Sequence, residues 1–306
     1  MKKKKNYPKP LTALENLTYN FPNIWKIINP SDFSTAQLFC QENNIPESKF
    51  IIAALSKWRQ SKQIFEIDRE LCNIFMKSDK LNDEIPIEII ERLIYDCFYV
   101  KLPDKYIHVR TLKNTSGEFS NYEIDGFFYN VIEKSVIIVI MFSTGHTQSL
   151  GFDIYEGLTL KQTINKHMKV SSDVYSIINF FIQIVLYLCA DNADIDENQI
   201  QKQIYKPPAK KVKDTYSELR KWDVGFRYGK AIKRSRQNEK RNSNISNEHH
   251  EGSHSRKRTH VRKGHYHHFW RGSESDGNKE LILKWVSPVV INAEYENIAT
   301  IRKVKK

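Results

Sequence analysis

The sequence predicts an α+β fold: a mixed sheet of about four to six strands covered by helices, then a basic flexible tether and a C-terminal His/aromatic β segment. Three observations lead there. Apolar residues recur at helical spacing as far as Ile94, the period becomes extended between Cys97 and Phe142, and positive charge is concentrated after Lys206.

Residues 1–33 read as an N-terminal arm, basic and proline-containing at first and partly helical from Leu11 to Ile28. An α+β body is expected over 34–205. Ser34-x-x-Gln37 has the form of a capping box opening a short helix, and Pro46 suits the first turn of a second. That second helix, Glu47 to about Gln63, sets Phe50, Ala54, Leu55 and Trp58 on one face, which makes Trp58 a core residue. The stretch Ile64–Phe75 is read as continuing the helix, and Asp68, Glu70, Asp83 and Glu84 as solvated charges. Pro86 opens another helix through Ile94.

Extended segments follow at Cys97–Leu102, Tyr106–Leu112, Tyr122–Ile132 and Ser135–Phe142. The run Val136–Phe142 is apolar on both faces, as a strand covered on both sides requires. Glu133-Lys134 supplies the hairpin turn before it. After Gly151–Tyr155, Thr159-x-x-Gln162 caps a helix to about Met168, and the apolar stretch Asp173–Cys189 packs on the sheet. Gly145-His146 places a histidine at a strand end, where a structural role is expected. With 17 residues between Val174 and Ala190 and acidic flanks, that apolar stretch is a core helix rather than a membrane span.

Residues 206–259 form the expected tether. Pro207-Pro208 ends regular structure, Tyr216–Lys233 reads as a short basic helix or turn, and Ser235–Arg258 has too little apolar surface to offset its ordering entropy. Between Lys206 and Arg271 stand 19 Lys+Arg against 6 Asp+Glu, whereas the whole chain carries +12. The remainder is therefore nearly neutral. A basic segment beside a neutral body implies a polyanionic partner, nucleic acid above all, or a solvated tail. Cys40, Cys72, Cys97 and Cys189 form no close pair, which points to the reducing cytosol. The opening MKKKK lacks a following apolar region, so no signal peptide is expected.

Residues 260–306 hold the densest chemistry, His260, Arg262, Lys263, His265, Tyr266, His267, His268, Trp270 and Arg271. In an extended chain His265, His267 and Phe269 share one face, and Tyr266, His268 and Trp270 the other. Three readings compete. A metal site would join His265 and His267 with His260 or Asp276, but no known zinc spacing is met. A metal-independent ribonuclease would use His265 and His267 as acid and base, with Lys263, Arg262 or Arg271 stabilising the phosphorane. A binding surface would set His260, Arg262, Lys263, His265, Tyr266, His267, Trp270 and Arg271 against RNA or the ribosome. No metal and no cofactor are expected. Gly225–Lys230 resembles half a phosphate loop, but its spacing is short and Ala231 stands where a hydroxyl should bind magnesium.

The motif His260-x-Arg262-x-Gly264-His265-x-His267-x-x-Trp270-x-Gly272, with Trp285, Pro288 and Asn292 after it, resembles the C-terminal signature of the second type V-A anti-CRISPR family. Trp58-Arg59 with Ile64-Phe65-x-Ile67-Asp68, Leu81-x-Asp83 with Pro86, Leu93 and Cys97-x-Tyr99-Val100, and Leu186-x-Leu188-Cys189-Ala190 with Asp194-Ile195 agree in order, so the resemblance spans roughly residues 50–292. It implies a cytoplasmic inhibitor that recognises the nascent N-terminal peptide of a type V-A CRISPR nuclease and causes loss of its mRNA. The peptide would lie on the body between about residues 50 and 200, and the C-terminal motif would meet mRNA or the ribosome. A generic RNA-binding protein of a mobile genetic element is the alternative.

Overall fold

The computed structural model describes residues 8–78, 85–93, 95–113, 118–167, 172–196, 219–245, 260–262, 264–273, 277, 279–287 and 289–291. Helices α1 (Lys9–Asn20), α2 (Ile24–Ile27), α3 (Phe33–Glu42) and α4 (Lys49–Ser61) precede strand β1 (Gln63–Ile67) and helix α5 (Arg69–Lys77). A 3-10 turn at Ile87–Arg92 leads into β2 (Cys97–Lys101), β3 (His108–Lys113), β4 (Glu118–Ile132), β5 (Ser135–Phe142) and β6 (Thr147–Asp153). Then come α6 (Leu160–His167), α7 (Ser172–Cys189), β7 (Ile195–Asp196), β8 (Arg220–Val224) and α8 (Phe226–Ile245). Last are β9 (His260–Arg262), β10 (His265–Arg271), β11 (Glu280–Val286) and β12 (Val289–Ile291).

The α+β class holds, with a larger sheet than expected. Eight strands run in the order β6-β5-β4-β2-β1-β8-β7, with β3 paired to β4 beside that path. The sheet is mixed, because β1 is parallel to both β2 and β8 while the other pairs are antiparallel. Side-chain alternation explains the two-faced apolar run. Ile137, Val139 and Met141 of β5 point to α1–α4, and Val136, Ile138, Ile140 and Phe142 point to α5, α6 and α7. Helix α7 is buried almost all round, from Ile178 to Tyr187, because other elements of this second layer cover what the sheet leaves. Among the described residues no helix is long and apolar enough to cross a membrane.

Several expectations are corrected. Ile64–Phe75 is not a helix. Lys62 takes a left-handed conformation (φ 46°) that ends α4, and the next five residues form a strand in the middle of the sheet. Two parallel neighbours satisfy the backbone of that strand, a long-range stabilisation that local periodicity does not encode. Asp68 is not solvated. It is buried, accepts the Glu70 N–H at 2.8 Å as the N-cap of α5, and lies against Gly229; Glu70 is buried too, and Asp83 and Glu84 lie outside the described residues. Helix α3 is capped by Asp32, which accepts the Ser34 N–H at 2.9 Å, rather than by a box starting at Ser34. The Thr159–Gln162 box does form, with reciprocal bonds of 3.0 and 3.2 Å.

The tether is corrected in its middle portion; 206–218 and 246–259 lie outside the described residues. Arg220–Val224 pairs with β1 on one side and β7 on the other. Its polar residues are matched inside the sheet, Lys221 to Glu66 at 2.6 Å and Trp222 Nε1 to Gln63 Oε1 at 2.6 Å. Phe226–Ile245 is one helix that begins on the body, with Tyr228 buried and Ile232 packed against the core.

Candidate functional site: the C-terminal hairpin and the groove beside it

Strands β10 and β11 form an antiparallel hairpin in which Tyr266 faces Trp285, His267 faces Lys284 and Arg271 faces Glu280. Its inner face is part of the body's core. Trp285 is 4% exposed, and its ring centroid lies 4.7 Å from that of Tyr266, 5.4 Å from Phe75 and 6.3 Å from Tyr187. The Tyr266 hydroxyl donates to the Gln183 carbonyl at 2.5 Å, and burial pushes its ionisation well above the usual tyrosine range. Asn192 closes the clasp. Its Nδ2 donates to the Trp285 carbonyl at 2.8 Å, its Oδ1 accepts the Trp285 N–H at 2.9 Å, and the Asp191 N–H donates to the Leu283 carbonyl at 3.0 Å. The motif region is therefore joined to residues 183–192 by packing and by side-chain and backbone hydrogen bonds.

This geometry sorts the expected contact residues. Tyr266, at 6% exposure, is a core residue and not an RNA contact; a tyrosine aimed inward by strand alternation has no surface to offer. His265 and His267 are exposed on the opposite face, where Lys284 stands across from His267. The Lys284 Nζ lies 5.3 Å from the Phe269 ring centroid, and the His267 ring 5.8 Å from it. His268 is half-buried on the inner side. Trp270 is 54% exposed towards the hairpin tip, with Lys279 Nζ at 5.1 Å from its ring, and Arg271 pairs with Glu280 at 2.7 Å. His260 and Arg262 have backbone positions in β9, paired with Ile291 and Val289 of β12. Lys263, Asp276, Pro288 and Asn292 lie outside the described residues. Among the described residues no group of three or more His, Cys, Asp or Glu could hold a metal ion.

Sequence reasoning did not find Lys284, Lys279, Asn192 or Gln183. Lys284 and Lys279 are visible only once β11 pairs with β10. Asn192 stands 93 residues from Trp285, so no local pattern links them.

Beside the hairpin's inner face a groove of about 130 Å³ is lined by Phe75, Met76, Ser78, Tyr175, Ser176, Asn179 and Phe180. Cofactor and drug-sized ligands occupy several hundred Å³, so this groove suits one or two side chains of an extended segment. Phe75 belongs to both features, lining the groove and packing edge-on against Trp285.

The Gly225–Lys230 segment is the start of α8, and its amino end is already occupied. Asp194 accepts from Arg227 Nε at 2.5 Å and from the Tyr228 N–H at 3.0 Å, which leaves a carboxylate where a phosphate would sit. Gly225 has φ +75° and Leu71 Cδ2 2.4 Å from where a Cβ would be, which accounts for glycine there. His146 at the β5–β6 turn stacks on Phe142 at 5.9 Å, as a structural residue does.

The arrangement defines a class: a helix-covered mixed-sheet body that carries a docked His/aromatic hairpin, built for binding. The sequence model of the AcrVA2-like family, anti-CRISPR type V subtype A2, matches residues 65–293, well over half of the chain, and the chain belongs to that family. Protein FinQ of Escherichia coli is 26% identical over 308 residues, covering 85% of this chain and 81% of that protein. The crystal structure of AcrVA2 superposes with a TM-score of 0.57 at 18% identity, covering 94% of this chain and all 100% of that one, which shows a shared fold.

Proposed function

We propose that this anti-CRISPR family member represses production of a type V-A CRISPR nuclease by binding the nascent N-terminal peptide of the nuclease and bringing about loss of its mRNA. The peptide reader is the body, with the groove between α5 and α7 taking a side chain of the extended peptide. The hairpin is the part that meets the message or the translation machinery. One observation carries this division of labour: Phe75 lines the groove and packs on Trp285 of the hairpin, so reader and effector share a single core.

The test is co-expression with a type V-A nuclease, following nuclease protein and mRNA half-life, together with capture of a synthetic peptide of the nuclease N-terminus by the purified chain. Both nuclease and message should fall, and the peptide should be retained. Unchanged message half-life with no peptide capture would sink the reading. Substituting Met76, which is 47% exposed at the groove, by Glu should abolish capture while leaving the fold intact.

A further inference from the structure

Helix α8 and the outer face of the hairpin leave the body at the same place. Tyr228, in the first turns of α8, shares a hydroxyl hydrogen bond with Ser287, the residue directly after β11, and burial pushes Tyr228 up to about 12. Ser287 follows the Val286–His265 pair, so the histidine end of the hairpin adjoins the foot of the helix. We infer that these two elements form one composite surface for single-stranded RNA, with α8 holding phosphates and the hairpin's outer face holding phosphate and base. This rests on the reading that the hairpin meets the message. It extends that reading to a second element and removes Tyr266 from it.

The charge of α8 is the first ground. Its 20 residues carry Arg227, Lys230, Lys233, Arg234, Arg236, Lys240 and Arg241 against Glu239 alone. Arg227 is taken up by Asp194, but Lys233 and Arg234 are exposed. Core packing through Tyr228 and Ile232 reaches only the first two turns. Beyond them, like charges crowd a helix with no burial to stabilise it, and a polyanion laid along it would relieve that repulsion.

The second ground is the hairpin. His265, His267, Phe269 and Lys284 occupy one outward face, cations interleaved with a π surface. An unpaired base can stack on such a face, and a base inside a duplex cannot.

The experiment measures binding of the full-length chain to an unstructured fluorescent RNA, and to a duplex RNA of the same length, across a salt series. The single strand should bind more tightly, with affinity falling steeply as salt rises. In Lys233→Gln/Arg234→Gln the slope of log affinity on log salt should shrink by about 1, since each phosphate contact on a single strand contributes roughly 0.7. Phe269→Leu keeps apolar cover over its cross-strand neighbour Ile282 but removes the π face, and should weaken binding about tenfold with the slope unchanged. Both variants should retain the wild-type unfolding midpoint. The inference is overturned if duplex binds as tightly as single strand, or if either variant binds like wild type. Loss of RNA binding together with intact repression of the nuclease would overturn this surface and leave the proposed function standing; RNA binding without any effect on the message would do the reverse.

Discussion

The two tryptophans of the C-terminal hairpin should respond to substitution in opposite ways. Trp285 is 4% exposed and touches the rings of Tyr266, Phe75 and Tyr187, so Trp285→Ala removes a buried indole and leaves a cavity at the junction of α5, α7 and the hairpin. Large-to-small changes of this kind destabilise by about 3–5 kcal/mol. At about 2 °C per kcal/mol for a chain of this size, the unfolding midpoint should fall by roughly 6–10 °C. Trp270 is 54% exposed, and Trp270→Ala should stay within about 0.5 kcal/mol of wild type. Calorimetry and far-ultraviolet circular dichroism of both variants supply the check. Equal effects of the two changes, or a Trp285→Ala protein whose body unfolds at the wild-type temperature while only the hairpin is released, would refute the claim that hairpin and body share one core. Tyr266→Phe sharpens the test. The Gln183 carbonyl that accepts the hydroxyl lies inside α7 and has an intrahelical partner by helix geometry, so losing the bond leaves no orphan and should cost only about 1 kcal/mol.

Asp194→Ala removes the acceptor for Arg227 Nε and the Tyr228 N–H at the start of α8, and should destabilise by about 1–2 kcal/mol, with faster amide exchange concentrated in the first turns of that helix. Asp223 has its carboxyl pushed up by burial and by Glu66 and Asp196, against the opposing pull of Lys221 and Lys230. A carboxyl raised in the folded state favours folding below its ordinary range and loses that contribution as pH rises through the raised value. Asp223→Asn should therefore raise the unfolding midpoint at pH 7, with the gain vanishing at low pH where both proteins are neutral at this site.

Much of the framework was legible in the sequence because it depends on local chemistry. The Val136–Phe142 run could only be a strand covered on both faces, and Thr159 and Gln162 cap a helix through bonds three residues apart. Trp58 followed from helical spacing, and it is fully buried, its Nε1 donating to the Gln63 carbonyl at 2.8 Å. The family too was legible, since the spacing of His, Gly and Trp after His260 is carried by the chain itself. Strands β1 and β8 were not. Each is five residues long, and both owe their state to partners far away, Ile64 pairing with Tyr99 on one side and with Lys221 on the other. Charged Arg220–Val224 looks like linker until Glu66 and Gln63 receive its side chains.

By itself, then, the sequence determined the class of fold, the location of the basic charge and the motif that identifies the family, all properties of residue type and short spacing. Only the tertiary structure decided which members of that motif face solvent. Tyr266 and His267 are neighbours with similar binding chemistry, and strand alternation alone would permit either face to turn inward. The choice was made by Gln183, Asn192 and Phe75, whose bonds and ring contacts draw Tyr266 and Trp285 into the core and leave His265, His267 and Lys284 outside.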